Sequence, residues 1–72
     1  MNYIERIRGL REDKDLKQSD IARILHKSQQ GYAHLENGKA RFTIEDIRTL
    51  CIFYNLSADY IIGLIDEPRQ LK

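Results

Sequence analysis

Gln18-Ser19-Asp20-Ile21-Ala22-Arg23-Ile24-Leu25, then His26-Lys27, then Ser28-Gln29-Gln30-Gly31-Tyr32-Ala33-His34-Leu35: these residues decide the fold. The first segment places Ile21, Ala22 and Leu25 at helical spacing, which predicts a short amphipathic helix over about 18–25. A tight His26-Lys27 turn follows. Ser28 is a good N-cap, because its hydroxyl can accept from an orphaned backbone N–H, and it opens a second helix over about 28–35 with Tyr32 and Leu35 inward. Gln29 and Gln30 stand at its front. A polar-fronted helix set across a short turn from an apolar-backed one is the geometry that carries side chains into the major groove of DNA.

Outward from this pair, three more helices can be placed. The first runs from about Tyr3 to Asp13, with Asn2 as cap, Glu5 reaching back as in a capping box, and Ile4, Ile7 and Leu10 inward. Gly9 costs it roughly 1 kcal/mol relative to alanine. Leu16 anchors the connector to the second helix, whose start is weakly marked because Lys17 is a poor N-cap. The fourth helix has the clearest start: Thr43 caps it, Asp46 sits at its third position, and Phe42 and Ile47 are placed as a hydrophobic staple. Ile44, Ile47, Leu50 and Cys51 then form its inward row until Asn55. Leu56, the Ser57 cap, Asp59 and Ile61 repeat the pattern for a fifth helix, and Gly63 and Pro68 bracket its end. No segment alternates as a strand would. The expectation is an all-α, compact five-helix bundle: one domain over residues 1–66, then a short polar tail over 67–72.

Composition narrows the function. Seventy-two residues allow one domain. No apolar run approaches the roughly 20 residues of a membrane span, and Arg6 and Arg8 interrupt any signal-peptide stretch. Cys51 is the single cysteine, so a reducing cytoplasm is the expected compartment. Net charge is only +1, but residues 1–41 carry nine Lys/Arg against six Asp/Glu, and residues 42–72 carry three against five. The basic half coincides with the DNA-facing half; ordinary solvated helix faces would give the same counts. Two histidines and one cysteine at these spacings form no zinc pattern. No nucleophile turn or nucleotide-binding glycine loop is present. We expect no metal, no cofactor and no catalytic residue.

Ile7-Arg8-Gly9-Leu10-Arg11-Glu12-Asp13-Lys14, Leu16-Lys17-Gln18, Ile21-Ala22, Leu35-Glu36-Asn37-Gly38-Lys39 and Leu56-Ser57-Ala58-Asp59-Tyr60 together resemble the Cro and phage-repressor (XRE-type) helix-turn-helix family. The resemblance spans about residues 4–65. It implies a lambda-repressor-like DNA-binding domain whose third helix is the recognition helix. Gln29, Gln30 and His34 then fall where the family reads base edges. Gln18 falls where it grips a phosphate, with Ser28 beside it, and Asn37, Lys39 and Arg41 fall in the loop along the DNA backbone. Arg11 and Glu36 match positions that form a partly buried ion pair in some members. Glutamine suits the reading role, since its acceptor and donor together match the N6 and N7 edge of adenine. Two surface glutamines in a helix first turn are the plainer alternative. The sequence also departs from the family pattern: His26 replaces the usual glycine, Lys27 an aliphatic residue, and Phe42 a frequent proline.

Helix five is too apolar for one buried face. Either it is sunk in the core, or Tyr60, Ile62, Leu64 and Ile65 form a self-complementary dimer patch, as relatives use. We favour the homodimer, which would set two recognition helices roughly 34 Å apart on a near-palindromic double-stranded operator. The expected function is that of a sequence-specific transcriptional regulator, most simply a repressor. The alternative is an interaction module of antitoxin or antirepressor type that sequesters a protein partner.

Overall fold

The helices begin where a side chain can take up an orphaned N–H. In the computed structural model, which describes residues 2–72, they are α1 (Tyr3–Asp13), α2 (Gln18–Ile24), α3 (Gln29–Glu36), α4 (Ile44–Tyr54) and α5 (Ala58–Ile61). Residue 1, the first of the expected domain, lies outside the described residues. Asn2 caps α1 by accepting from the Ile4 N–H at 2.7 Å, although Glu5 does not return the bond. Ser28 accepts from the Gly31 N–H at 3.0 Å. Thr43 and Asp46 close a reciprocal box, Thr43 Oγ1 accepting from the Asp46 N–H and Asp46 Oδ2 from the Thr43 N–H, both at 3.0 Å. Two expected starts are built differently. Lys17 has no acceptor to offer, so the Asp20 carboxylate reaches back to its N–H at 2.8 Å. Ser57 makes no cap bond; its hydroxyl donates to Asp59, whose carboxylate takes the Tyr60 N–H at 2.9 Å.

All five helices stop in the same way. Each ends with a left-handed residue flanked by a six-to-one and a five-to-two backbone bond, the Schellman arrangement. The left-handed residues are Asp15, His26, Gly38, Asn55 and Gly63. In the second stop, Lys27 donates to Ala22 O at 2.8 Å and His26 to Arg23 O at 3.2 Å, with His26 at φ 57°. The family's usual glycine is thus replaced without changing the turn, at the cost of holding a Cβ in the left-handed region.

The core is Ile7, Ile21, Ala22, Leu25, Tyr32, Leu35, Leu50, Cys51 and Ile61. α2 packs on α3, α1 lies against α3 and α5, and α4 against α5. The Cα radius of gyration, 11.2 Å, is that of a fully compact chain of this length. The all-α five-helix bundle is therefore as the sequence implies. The inward row of α4 needs one correction: Leu50 and Cys51 are buried as expected and Ile47 is half-buried, but Ile44 is 82% exposed and Asp46 is buried beside the row. The last residues fold back onto the bundle. Ser57 N–H donates to Arg69 O at 2.7 Å, Leu71 N–H to Asn55 O at 3.2 Å, and Leu56 and Gln70 form an isolated antiparallel bridge. Arg69 pairs with Asp59. Among the described residues, no helix is long and apolar enough to cross a membrane.

Candidate nucleic-acid interface

The front of α3 projects from the bundle on a buried back. Tyr32, Leu35 and Glu36 are buried, whereas Gln29 and Gln30 are exposed and their side chains make no hydrogen bond among the described residues. Helical spacing aligns Gln30, His34 and Asn37 in one outward row, with Gln29 beside it. His34 is half-buried and Asn37 exposed. Ser28 is used as the helix cap, and a Cβ on Gly31 would sit 3.0 Å from its hydroxyl oxygen. Glycine at this position therefore leaves the cap its room.

The loop after α3 turns at Gly38, with φ 77°, where Lys39 N–H donates to His34 O at 2.9 Å. Lys39 and Arg41 emerge exposed, with no ion-pair partner among the described residues. Between residues 21 and 44 the only acidic side chain is Glu36, and it is 1% exposed. The outward face of this region is accordingly cationic and polar, which suits a phosphate-lined surface.

Glu36 is the anchor behind that face. Arg11 grips it bidentately, Nε to Oε2 at 2.8 Å and Nη2 to Oε1 at 3.0 Å, and also bonds Leu16 O at 2.8 Å. Gln18 Nε2 donates to Oε1 at 3.0 Å. Arg8 bonds the Glu36 carbonyl and stands 3.7 Å from the carboxylate. α1, α2 and α3 are thus joined at one buried carboxylate. Burial alone would raise its pKa, but the bonds from Arg11 and Gln18, with the nearby Tyr32 hydroxyl, outweigh burial and hold the carboxyl below its ordinary value. The same bond holds the Arg11 guanidinium above its own. The Tyr32 and Tyr54 hydroxyls are buried and form no hydrogen bond of regular geometry. Burial pushes Tyr54 up to about 12 and drives Tyr32 higher still, with Glu36 adding to the rise.

Of the residues singled out in the sequence, Gln29, Gln30, His34, Asn37, Lys39 and Arg41 share the α3 face and its loop. Gln18 is half-buried, with one amide N–H already given to Glu36. Lys27 is half-buried, with its ammonium 3.5 Å from Asp46, so the turn is braced against the start of α4. Phe42 packs edge-on against Tyr3 and Tyr32, with ring centroids 6.2 and 6.3 Å away.

The four residues of the expected dimer patch are not alike. Tyr60 lies under the Arg6 guanidinium, 4.0 Å from ring centroid to Cζ, while Arg6 Nη1 bonds Tyr60 O at 2.7 Å and Ile65 O at 3.2 Å. Tyr60 and Ile65 are therefore half-buried and tied to α1, and only Ile62 and Leu64 are exposed. Arg6 itself, read in the sequence only as a break in any signal-peptide stretch, is 7% exposed. An arginine in the first turn of a helix reads as surface, and its carbonyl partners lie more than fifty residues away.

Known proteins share this arrangement. The chain is 29% identical over 66 residues to an uncharacterized HTH-type transcriptional regulator, YobD, of Bacillus subtilis (strain 168), covering 92% of this chain and 59% of that protein. The crystal structure of a transcriptional regulator from Listeria innocua superposes with a TM-score of 0.83 at 26% identity, over 92% of this chain and 62% of that one. This chain thus spans about three fifths of either relative's length. A helix-turn-helix family profile matches residues 7–61, from the buried Ile7 of α1 to the buried Ile61 of α5. With the α2–turn–α3 pair at its centre and most of the chain inside the match, this protein belongs to the XRE-type helix-turn-helix family.

Proposed function

We propose that this protein is a sequence-specific DNA-binding transcriptional regulator, a dimeric repressor that lays α3 in the major groove of a near-palindromic operator. One observation carries the reading. Gln29 and Gln30 stand exposed and unbonded at the capped front of a helix whose back is clamped to α1 and α2 through Glu36. Rigid support and free polar ends are what base reading requires, and one bidentate glutamine contact is worth roughly 1–3 kcal/mol against the wrong base. Lys39 and Arg41 neutralise phosphates and set the register, adding affinity without sequence information. Asn37, Ser28 and the second Gln18 N–H stand along the same edge. His34 reads or brushes a base one turn behind Gln30. The family is one of DNA-binding regulators and not of enzymes, and we assign no catalytic residue and no cofactor. Transcription regulation in this way places the protein in the cytoplasm.

The test is selection of bound duplexes from a random pool, with wild type and a Gln29→Ala, Gln30→Ala double variant. A palindromic motif that the variant loses or relaxes supports the reading. No enriched motif even at low salt sinks it, and would favour the second reading, a module that sequesters a protein partner. The exposed apolar residues around α4 are what keep that second reading in view.

A further inference from the structure

Two guanidiniums share one carboxylate at the end of α3. Arg11 takes both oxygens of Glu36. Arg8 is left outside that grip: its Nε stands 3.7 Å from Oε1, and its Nη2 donates to the Glu36 carbonyl, a neutral acceptor. Among the described residues, no other carboxylate lies within ion-pair distance of either arginine. The cluster therefore keeps one uncompensated positive charge. It lies at Arg8, whose side chain is 40% exposed against 12% for Arg11. A guanidinium held on one side and open on the other is ready to take an anion.

Its surroundings say which anion. Gln18 Nε2 meets the same Oε1 at 3.0 Å, so the amide and the Arg8 guanidinium are neighbours at the rim of Glu36. The loop that carries Asn37 and Lys39 runs back along α1: a Cβ on Gly38 would sit 3.9 Å from Ile4 Cδ1, one turn before Arg8. Arg8, Gln18, Asn37 and Lys39 thus gather from α1, α2 and the loop around one end of α3. That end is seven residues from Gln29, about 10 Å along the helix axis. The major groove is about 12 Å wide and is walled by the two phosphate backbones. With the glutamines in the groove, the far end of the helix stands at a wall.

We propose that Arg8, beside the Gln18 amide, binds a backbone phosphate of the duplex and so adds α1 to the DNA-contacting elements. This rests on the DNA reading above and supplies a contact that reading lacks. The Glu36 carbonyl holds the guanidinium in place before DNA arrives, so little side-chain freedom is lost when the phosphate docks. Arg8 reads no base; it adds affinity and fixes α1 over the strand.

The experiment is a salt titration of binding to two short duplexes of unrelated sequence, with wild type, Arg8→Gln and Arg8→Lys. Arg8→Gln keeps a donor for the carbonyl and drops the charge, whereas Arg8→Lys keeps the charge. Arg8→Gln is expected to bind both duplexes about eight-fold more weakly per protomer at about 0.1 M salt. It should also reduce the slope of log K against log salt by about 1, the counterion release of one phosphate. Arg8→Lys is expected to keep the wild-type slope. Phenylglyoxal modification of wild type, mapped by mass spectrometry, needs no variant to fold: the duplex should shield Arg8. An Arg8→Gln protein with the wild-type slope, an Arg8→Lys protein with the reduced one, or Arg8 modified as fast with duplex as without each overturns the inference. A purely structural role would lower the melting temperature and leave the slope alone. If wild type binds no duplex even at low salt, the DNA reading falls and this site with it. A slope indifferent to Arg8 removes only the site.

Discussion

Glu36→Ala should be the most damaging single change behind the exposed face of α3. The carboxylate is 1% exposed and accepts three bonds, at 2.8 and 3.0 Å from Arg11 and 3.0 Å from Gln18. Its removal leaves Arg11, whose side chain is only 12% exposed, with Leu16 O as its remaining acceptor. Breaking one side of a buried pair costs about 3–5 kcal/mol. A chain of this length has roughly 4–11 kcal/mol to lose. At about 4–8 °C per kcal/mol the melting temperature should drop by roughly 12–40 °C. Thermal denaturation followed by circular dichroism at neutral pH measures this. Glu36→Gln, which keeps the shape and an acceptor, should lose less. Replacing both partners, as in Arg11→Met with Glu36→Leu, should also cost less than Glu36→Ala, because no charge is left stranded. A Glu36→Ala protein melting within about 4 °C of wild type would refute the view that this carboxylate holds the first three helices together.

The same group gives a pH dependence. Its folded pKa is lowered, so its contribution is fully present above the ordinary glutamate value and is lost as pH falls through the lower folded value. Wild type should therefore lose stability on acidification below about pH 4.5 more steeply than Glu36→Gln does; parallel curves would remove Glu36 as the cause. His26→Gly should stabilise by roughly 0.5–1 kcal/mol in denaturant titration, since glycine occupies φ 57° without strain. A loss of stability would mean that the imidazole itself matters to the turn. Lys39→Ala and Arg41→Ala should each weaken DNA binding similarly on all sequences and reduce the slope of log K against log salt by about 1. A change in preferred sequence would instead give that residue a reading role.

Local signals in the sequence reached far. Ser28, Thr43 and Asp46 announce helix starts because the bonds that cap a helix span only three residues. Ile7, Ile21, Ala22, Leu25, Tyr32 and Leu35 were legible as core because helical spacing places them on single faces. The order of motifs then identified the helix-turn-helix family, and with it the exposed front of α3. The stop at His26 was legible as a tight turn between two helical patterns, and histidine is among the residues enriched in the left-handed region it adopts.

Tertiary structure decided what spacing leaves open. Ile44, Ile47, Leu50, Cys51, Ile52 and Phe53 wrap too far around α4 for one buried face, so periodicity could not say which side would be covered. The packing of α5 and Phe42 buries one side and leaves Ile44 and Ile52 outside. Arg6 is sequestered by carbonyls 54 and 59 residues away, and its grip takes Tyr60 and Ile65 out of the surface that composition alone assigned them. Gln18 likewise meets Glu36 18 residues on, so that the residue read as a phosphate contact is first of all a brace between helices. The sequence by itself determined where the helices begin and stop, because those bonds close within one or two turns. Which faces are left for a partner was decided only in three dimensions, because exposure depends on what distant segments cover.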